Sequence, residues 1–123
     1  LKKMEKEKFE AIVLNTLKSL PDKFKDKIKN LSIVIEEKDI SPVIKGKKGT
    51  NTEYTLGLYQ GLPATKRAGR INILPDKITI YKKSLEEISR SDKELEKNII
   101  KVILHELGHY FGLDEKKLRR LGY

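Results

Sequence analysis

Apolar residues recur at three- and four-residue steps over residues 5–20, where Phe9, Ile12, Val13, Leu17 and Leu20 line one side of a helix that Pro21 stops. A short helical turn should follow, with Pro21 at its first position and Phe24 and Ile28 facing inward. Residues 31–36 are β-branched, apolar at their centre and too short for a helix, which predicts a buried strand. Residues 38–53 read as loop, punctuated by Pro42, Gly46 and Gly49. Alternation over 54–59 predicts a second strand in which Gly57 is a weak point or marks a close approach. Residues 60–70 are again loop. Ile71 to Leu74 and Lys77 to Lys82 flank the turn signal Pro75-Asp76, and 77–82 alternates as a strand with Ile78 and Ile80 on one face. Helices close the chain. A short one is expected over 83–90, and a long one begins near Ser91, where Ser91-Asp92-Lys93-Glu94 has the spacing of a capping box. From Leu95 to Leu107 apolar side chains cover about half of that helix's circumference, so it belongs in the interior. The last helix runs over 115–121, capped by Asp114 and stapled by Leu113 and Leu118.

Without repeats or a composition break, these elements predict one α+β domain over 1–123, large enough for a single core. The absence of cysteine excludes disulfides and thiolate metal sites and makes a reducing cytoplasm the natural setting. The first residues are too polar for a signal peptide and no apolar run could span a bilayer, so no membrane partner is expected. Charged residues make up 37% of the chain and Gln occurs once, a balance that suits a thermophile source. The net charge of +9 is uneven, residues 45–70 alone carrying about +5 through Lys45, Lys47, Lys48, Lys66, Arg67 and Arg70 against Glu53. No aromatic-interleaved pattern accompanies that stretch, so a solvated face is preferred to a nucleic-acid surface.

The chemistry lies in His105-Glu106-Leu107-Gly108-His109, followed by Tyr110-Phe111-Gly112-Leu113-Asp114-Glu115. On a helix, His105 and His109 are one turn apart on the same face, so both imidazoles can reach one metal ion. Glu106 projects beside them and suits a general base acting on zinc-activated water. These are the only two histidines in the chain, and satisfaction by backbone carbonyls alone would leave a nearly buried Glu106 without a partner. Gly112 suits the left-handed residue that ends the helix and turns the chain. Beyond it, Asp114 already has a capping role, whereas Glu115 lies six residues after His109, where related zinc motifs place their third ligand. Glu115 is therefore favoured over Asp114 as that ligand.

The sequence resembles the minimal-zincin family of small bacterial proteins. The resemblance runs over residues 9–123, through Leu20-Pro21-Asp22-Lys23-Phe24, Leu56-Gly57-Leu58-Tyr59-Gln60-Gly61-Leu62-Pro63, Leu74-Pro75-Asp76-Lys77-Ile78-Thr79-Ile80-Tyr81 and the segment from His105 to Gly112. It implies a zincin-like α+β fold with a small mixed sheet packed against the HExxH helix, and a zinc site. Two positions depart from the family's usual residues: Tyr110 stands where a further His is common, and Glu115 where Asp is common. A methionine turn of the larger metzincins is absent, Met4 being the only methionine.

The function expected is that of a zinc metallopeptidase acting on a peptide or protein, with His105, His109 and Glu115 as ligands and Glu106 as general base. A peptide would pair along an edge strand, for which 77–82 is the candidate. Tyr59 and Tyr81 are candidate oxyanion donors, against packed roles in the core. Two alternatives stand beside this reading: a metal-dependent ribonuclease using the basic loops, and a zinc-binding protein without turnover.

Overall fold

The computed structural model describes residues 3–37, 43–44, 52–53, 55–61 and 76–122. The amphipathic run near the start forms α1 (Lys6–Lys18), which buries Phe9, Val13 and Thr16. A single turn, α2 (Asp22–Lys25), follows with Pro21 as its N-cap. Phe24 does not face inward as its spacing predicts; it remains 38% exposed and rests against Phe111, with ring centroids 5.7 Å apart. One turn of helix is too short to seat a ring in the core and also return the chain to the sheet.

The strands are β1 (Leu31–Glu36), β2 (Val43–Ile44), β3 (Thr52–Glu53), β4 (Gly57–Gln60) and β5 (Asp76–Tyr81). The short antiparallel pair of β2 and β3 lies within what reads as loop. The rest of that loop, the basic side chains of 45–70 and residues 71–74 lie outside the described residues. The other three strands form one mixed sheet in the order β1-β5-β4, with β1 parallel and β4 antiparallel to β5. Two expectations change here. β1 is half-buried, lying at a border of the sheet among the described strands. β5 is the central strand, with both ladders occupied, so a peptide cannot add to it; among the described strands β4 is the other border, and α4 packs on it.

Register shows which groups of β4 face outward. Leu56 accepts from the Tyr81 N–H at 3.0 Å, and Gly57 pairs with Ile80, so Leu56, Leu58 and Gln60 bond to β5. The alternate residues, Gly57 and Tyr59, turn their N–H and C=O groups away from β5.

Three helices complete the chain: α3 (Lys82–Ile88), α4 (Asp92–Tyr110) and α5 (Glu115–Arg120). α4 begins as its capping spacing predicts, the Ser91 side chain accepting from the Glu94 N–H at 3.1 Å. It packs on α1, β4 and β5, and Leu95, Ile99, Ile103 and Leu107 meet Phe9, Ile78, Ile80 and Leu85 in the core. Lys82 and Glu86 are buried together and pair at 2.8 Å, while the Met4 N–H donates to the same Glu86 oxygen at 2.9 Å. Buried charge is tolerable there because each group has a partner, and the pairing ties the segment before α1 to α3. The architecture is α+β, with α4 laid across a small mixed sheet.

Candidate metal centre

The end of α4 sets the geometry of everything beyond it. Gly112 adopts φ 95°, the Leu113 N–H donates to the Gly108 carbonyl and the Gly112 N–H to the His109 carbonyl, both at 2.9 Å. This is the paired closure of a Schellman turn, and a side chain at Gly112 would be strained in it. The reversal folds α5 back along α4. Leu118 then fills the space above Gly108, where any Cβ would overlap its side chain. Asp114 caps α5, accepting from the Lys117 N–H at 2.8 Å, as its position in the sequence predicts.

The reversal brings Glu115 over the two histidines. Its Oε2 lies 3.2 Å from Nε2 of His105 and 2.7 Å from Nε2 of His109, and the imidazole centroids are 4.9 Å apart. The donor atoms of these three residues all fall within 4.8 Å of one another, which no other trio of His, Cys, Asp or Glu among the described residues achieves. Both imidazoles are partly exposed at the margin of the apolar face of α4, so a solute can reach them.

His109 also makes a bond that fixes its tautomer. Nδ1 lies 2.9 Å from the Leu113 carbonyl, which can only accept, so Nδ1 carries the hydrogen and the neutral ring turns a bare lone pair at Nε2 toward Glu115. A lone pair and a carboxylate oxygen at 2.7 Å repel each other unless a proton or a cation lies between them. Such a backbone anchor behind the ligating nitrogen is the usual outer support of a metal-binding histidine. The donor set therefore fits a divalent metal of zinc's preferences. Burial raises the proton affinity of Glu115, but the His109 and His105 imidazoles against its carboxylate outweigh that wherever they carry the intervening proton, and hold the carboxyl below its ordinary value.

Glu106 is 8% exposed, beside this trio but outside it. Burial holds its carboxyl above the ordinary range, against the lowering effect of His105, His109 and the nearby Tyr59 backbone N–H. The close approach of β4 to this carboxyl has only a faint sequence signal, in Gly57. A Cβ at Gly57 would lie 2.7 Å from Val102 Cγ1 and 3.2 Å from Glu106 Cγ, so glycine is what admits α4 this close to β4. The Tyr59 hydroxyl donates to Asp76 Oδ2 at 2.5 Å, which is the packed role rather than that of an oxyanion donor.

A family model described as zincin-like metallopeptidase matches residues 28–123, which take in β1, β4, β5, α4 and Glu115. The chain belongs to the zincin-like metallopeptidase family. Membership implies a metal, usually zinc, and the trio of His105, His109 and Glu115 is where the described residues fit one. Among solved structures, a conserved hypothetical protein from Thermo thermophilus has the same fold, with a TM-score of 0.59 and 24% identity over 86% of this chain and 92% of that one. Comparison with curated sequences gives no match. No helix among the described residues of this zincin-like protein is long and apolar enough to cross a membrane.

The neighbouring acids should separate cleanly by mutation. Glu115→Ala is expected to weaken metal affinity by orders of magnitude with little loss of helix, since Glu115 is exposed and does not cap α5. Asp114→Ala should cost about 1 kcal/mol of stability through the lost cap while leaving metal affinity within a few-fold. Zinc titration followed by calorimetry, with thermal melts on the metal-free forms, reads both effects. The opposite pattern would exchange the two roles.

Proposed function

We propose that this chain is a zinc-dependent metallopeptidase that cleaves peptide bonds with Glu106 as general base. The observation that carries the reading is the convergence of two imidazole Nε2 atoms and one carboxylate oxygen on one point, with His109 anchored from behind by Leu113 and a buried carboxyl alongside. His105, His109 and Glu115 would hold the ion. When bound, zinc supplies Lewis acidity, polarising the scissile carbonyl and acidifying water.

The remaining work falls to the chain itself. Glu106 removes a proton from the attacking water as its oxygen bonds to the carbonyl carbon, and returns that proton to the amine as the C–N bond breaks. Its burial favours the protonated form needed for the second half of that cycle. The peptide would lie along β4, whose outward-facing groups at Gly57 and Tyr59 offer backbone pairing beside Glu106. This replaces 77–82 as the docking strand.

The test is a peptide library incubated with zinc-loaded protein and read by mass spectrometry, with structured RNA in parallel at two salt concentrations. Cleavage of peptides that stops when zinc is chelated and resumes on its return supports the proposal. Cleavage of RNA alone would move the protein to the nucleases, where binding should fall steeply with salt. Zinc binding with neither substrate cut would leave a metal-binding protein without turnover.

A further inference from the structure

The metal centre sits on a strip of α4 that is flanked by elements from different parts of the chain. His105 and His109 lie along one stripe of that helix. β4 borders the strip on one side: Gly57 packs beside Val102 and Glu106, and the Tyr59 ring meets that of Tyr110 with centroids 6.0 Å apart. The strand therefore runs alongside α4 in the same direction, from the level of Val102 to that of Tyr110. α5 borders it on the other side. Leu118 covers Gly108, and Glu115 reaches over both histidines. Around the axis of α4, Val102 and Glu106 lie to one side of the histidine stripe and Gly108 to the other, so strand and helix stand on opposite flanks of it.

Charge along this strip is one-sided. Lys101 precedes His105 by one turn of α4 on the same stripe, and Arg119 follows Glu115 by one turn of α5. Both are exposed, and neither is in an ion pair among the described residues. The acidic groups nearby already have work: Glu115 and Glu106 belong to the centre, and Asp114 caps α5. Those first two carboxylates offset a divalent ion, which leaves the field at the rim to the cations. An extended peptide on the outer edge of β4 advances about 3.3 Å per residue, against about 5.4 Å per turn of α4. With the scissile bond over the histidines, the side chain about two residues away comes level with Lys101. A peptide suits the strip better than a nucleic acid, because β4 offers backbone pairing and α5 has no aromatic side chain on which a base could stack.

We propose that the centre selects acidic peptides: Lys101 and Arg119 are specificity-determining residues that receive carboxylate side chains flanking the scissile bond. The inference rests on the peptidase reading and on β4 as the docking strand. The pairs formed are open to water, so each contributes selectivity of a few-fold rather than most of the affinity.

The test uses the zinc-loaded full chain and peptide pairs that differ only by Glu or Asp against Gln or Asn at the flanking positions. The acidic member should be cleaved with a kcat/KM about tenfold higher. That ratio should shrink as salt rises from about 0.05 M to about 0.5 M. Lys101→Gln and Arg119→Gln should each lower it about threefold and together bring it near unity, with zinc stoichiometry unchanged. Lys117→Gln removes the same charge from the opposite side of α5 and should leave the ratio within about twofold. Binding gives a readout that needs no turnover. By calorimetry, zinc-loaded Glu106→Gln should bind a short Glu/Asp-rich peptide several-fold more tightly than its Gln/Asn twin, and should lose that advantage when Lys101→Gln and Arg119→Gln are added. The proposal is overturned by equal treatment of the paired peptides, or by a preference that survives loss of both cations. Structured RNA whose binding depends on Lys101 and Arg119, where that of acidic peptides does not, would also overturn it and assign the rim to nucleic acid. Peptide cleavage without acidic preference defeats this inference and leaves the peptidase reading standing. Acidic preference in binding with no cleavage does the reverse, leaving recognition by Lys101 and Arg119 without turnover.

Discussion

Equilibrium dialysis at neutral pH is expected to find about one zinc per parent chain and none above background for His109→Ala. Of the two imidazoles, that of His109 makes the closer approach to Glu115, at 2.7 Å, and the Leu113 carbonyl anchors its far nitrogen. Its loss leaves one imidazole and one exposed carboxylate, too few donors to hold the ion against water. The same variant loses one neutral hydrogen bond, worth about 1 kcal/mol, so the metal-free fold should survive. Zinc at about 1,000 times its dissociation constant stabilises a native-state binder by about 4 kcal/mol. Thermal melts should therefore rise with zinc in the parent and stay flat in His109→Ala. Acidification should release the ion from the parent as the imidazoles take up protons. Parent-like zinc binding by His109→Ala would remove the trio from consideration.

The chemistry of this site is readable from the sequence because its determinants are local. Helical periodicity and a four-residue histidine spacing place two imidazoles on one face of α4 regardless of what surrounds it. Gly112 and Asp114 likewise carry their turn and cap in their own conformational preferences, and the reversal they make is what delivers Glu115. The sheet is less legible. Alternation marks a strand but is silent on its neighbours, so β5 reads as a candidate border although β1 and β4 flank it. Periodicity places the second strand at 54–59, whereas the described strand starts at Gly57, where the lack of a side chain lets α4 approach. The placement of the Tyr59 backbone N–H near Glu106 is invisible at that level. A backbone N–H carries no residue identity, and its outward direction follows only from the register against β5.

Glu106→Gln should separate binding from chemistry more sharply than any other single change. Glutamine keeps the shape of the side chain and one acceptor oxygen, but it cannot take a proton at any working pH. Zinc stoichiometry and fold should match the parent, and any peptide hydrolysis should fall by about a hundredfold to ten-thousandfold. The metal-free protein offers an independent check through stability. Burial raises the Glu106 carboxyl above its ordinary value, so the folded chain binds this proton more readily than the unfolded chain does. The stabilisation from that proton is complete below the ordinary value and is lost as pH rises through the raised one. Above that raised value the parent carries a buried, ionised carboxylate that Glu106→Gln replaces with a neutral amide. The variant should melt higher than the parent on the alkaline side of that value, and the gap should close as pH falls toward the ordinary carboxylate range. Hydrolysis undiminished in Glu106→Gln would show that the base is another group, whatever the melts report. A melting gap that widens on acidification would mean that burial does not govern this carboxyl.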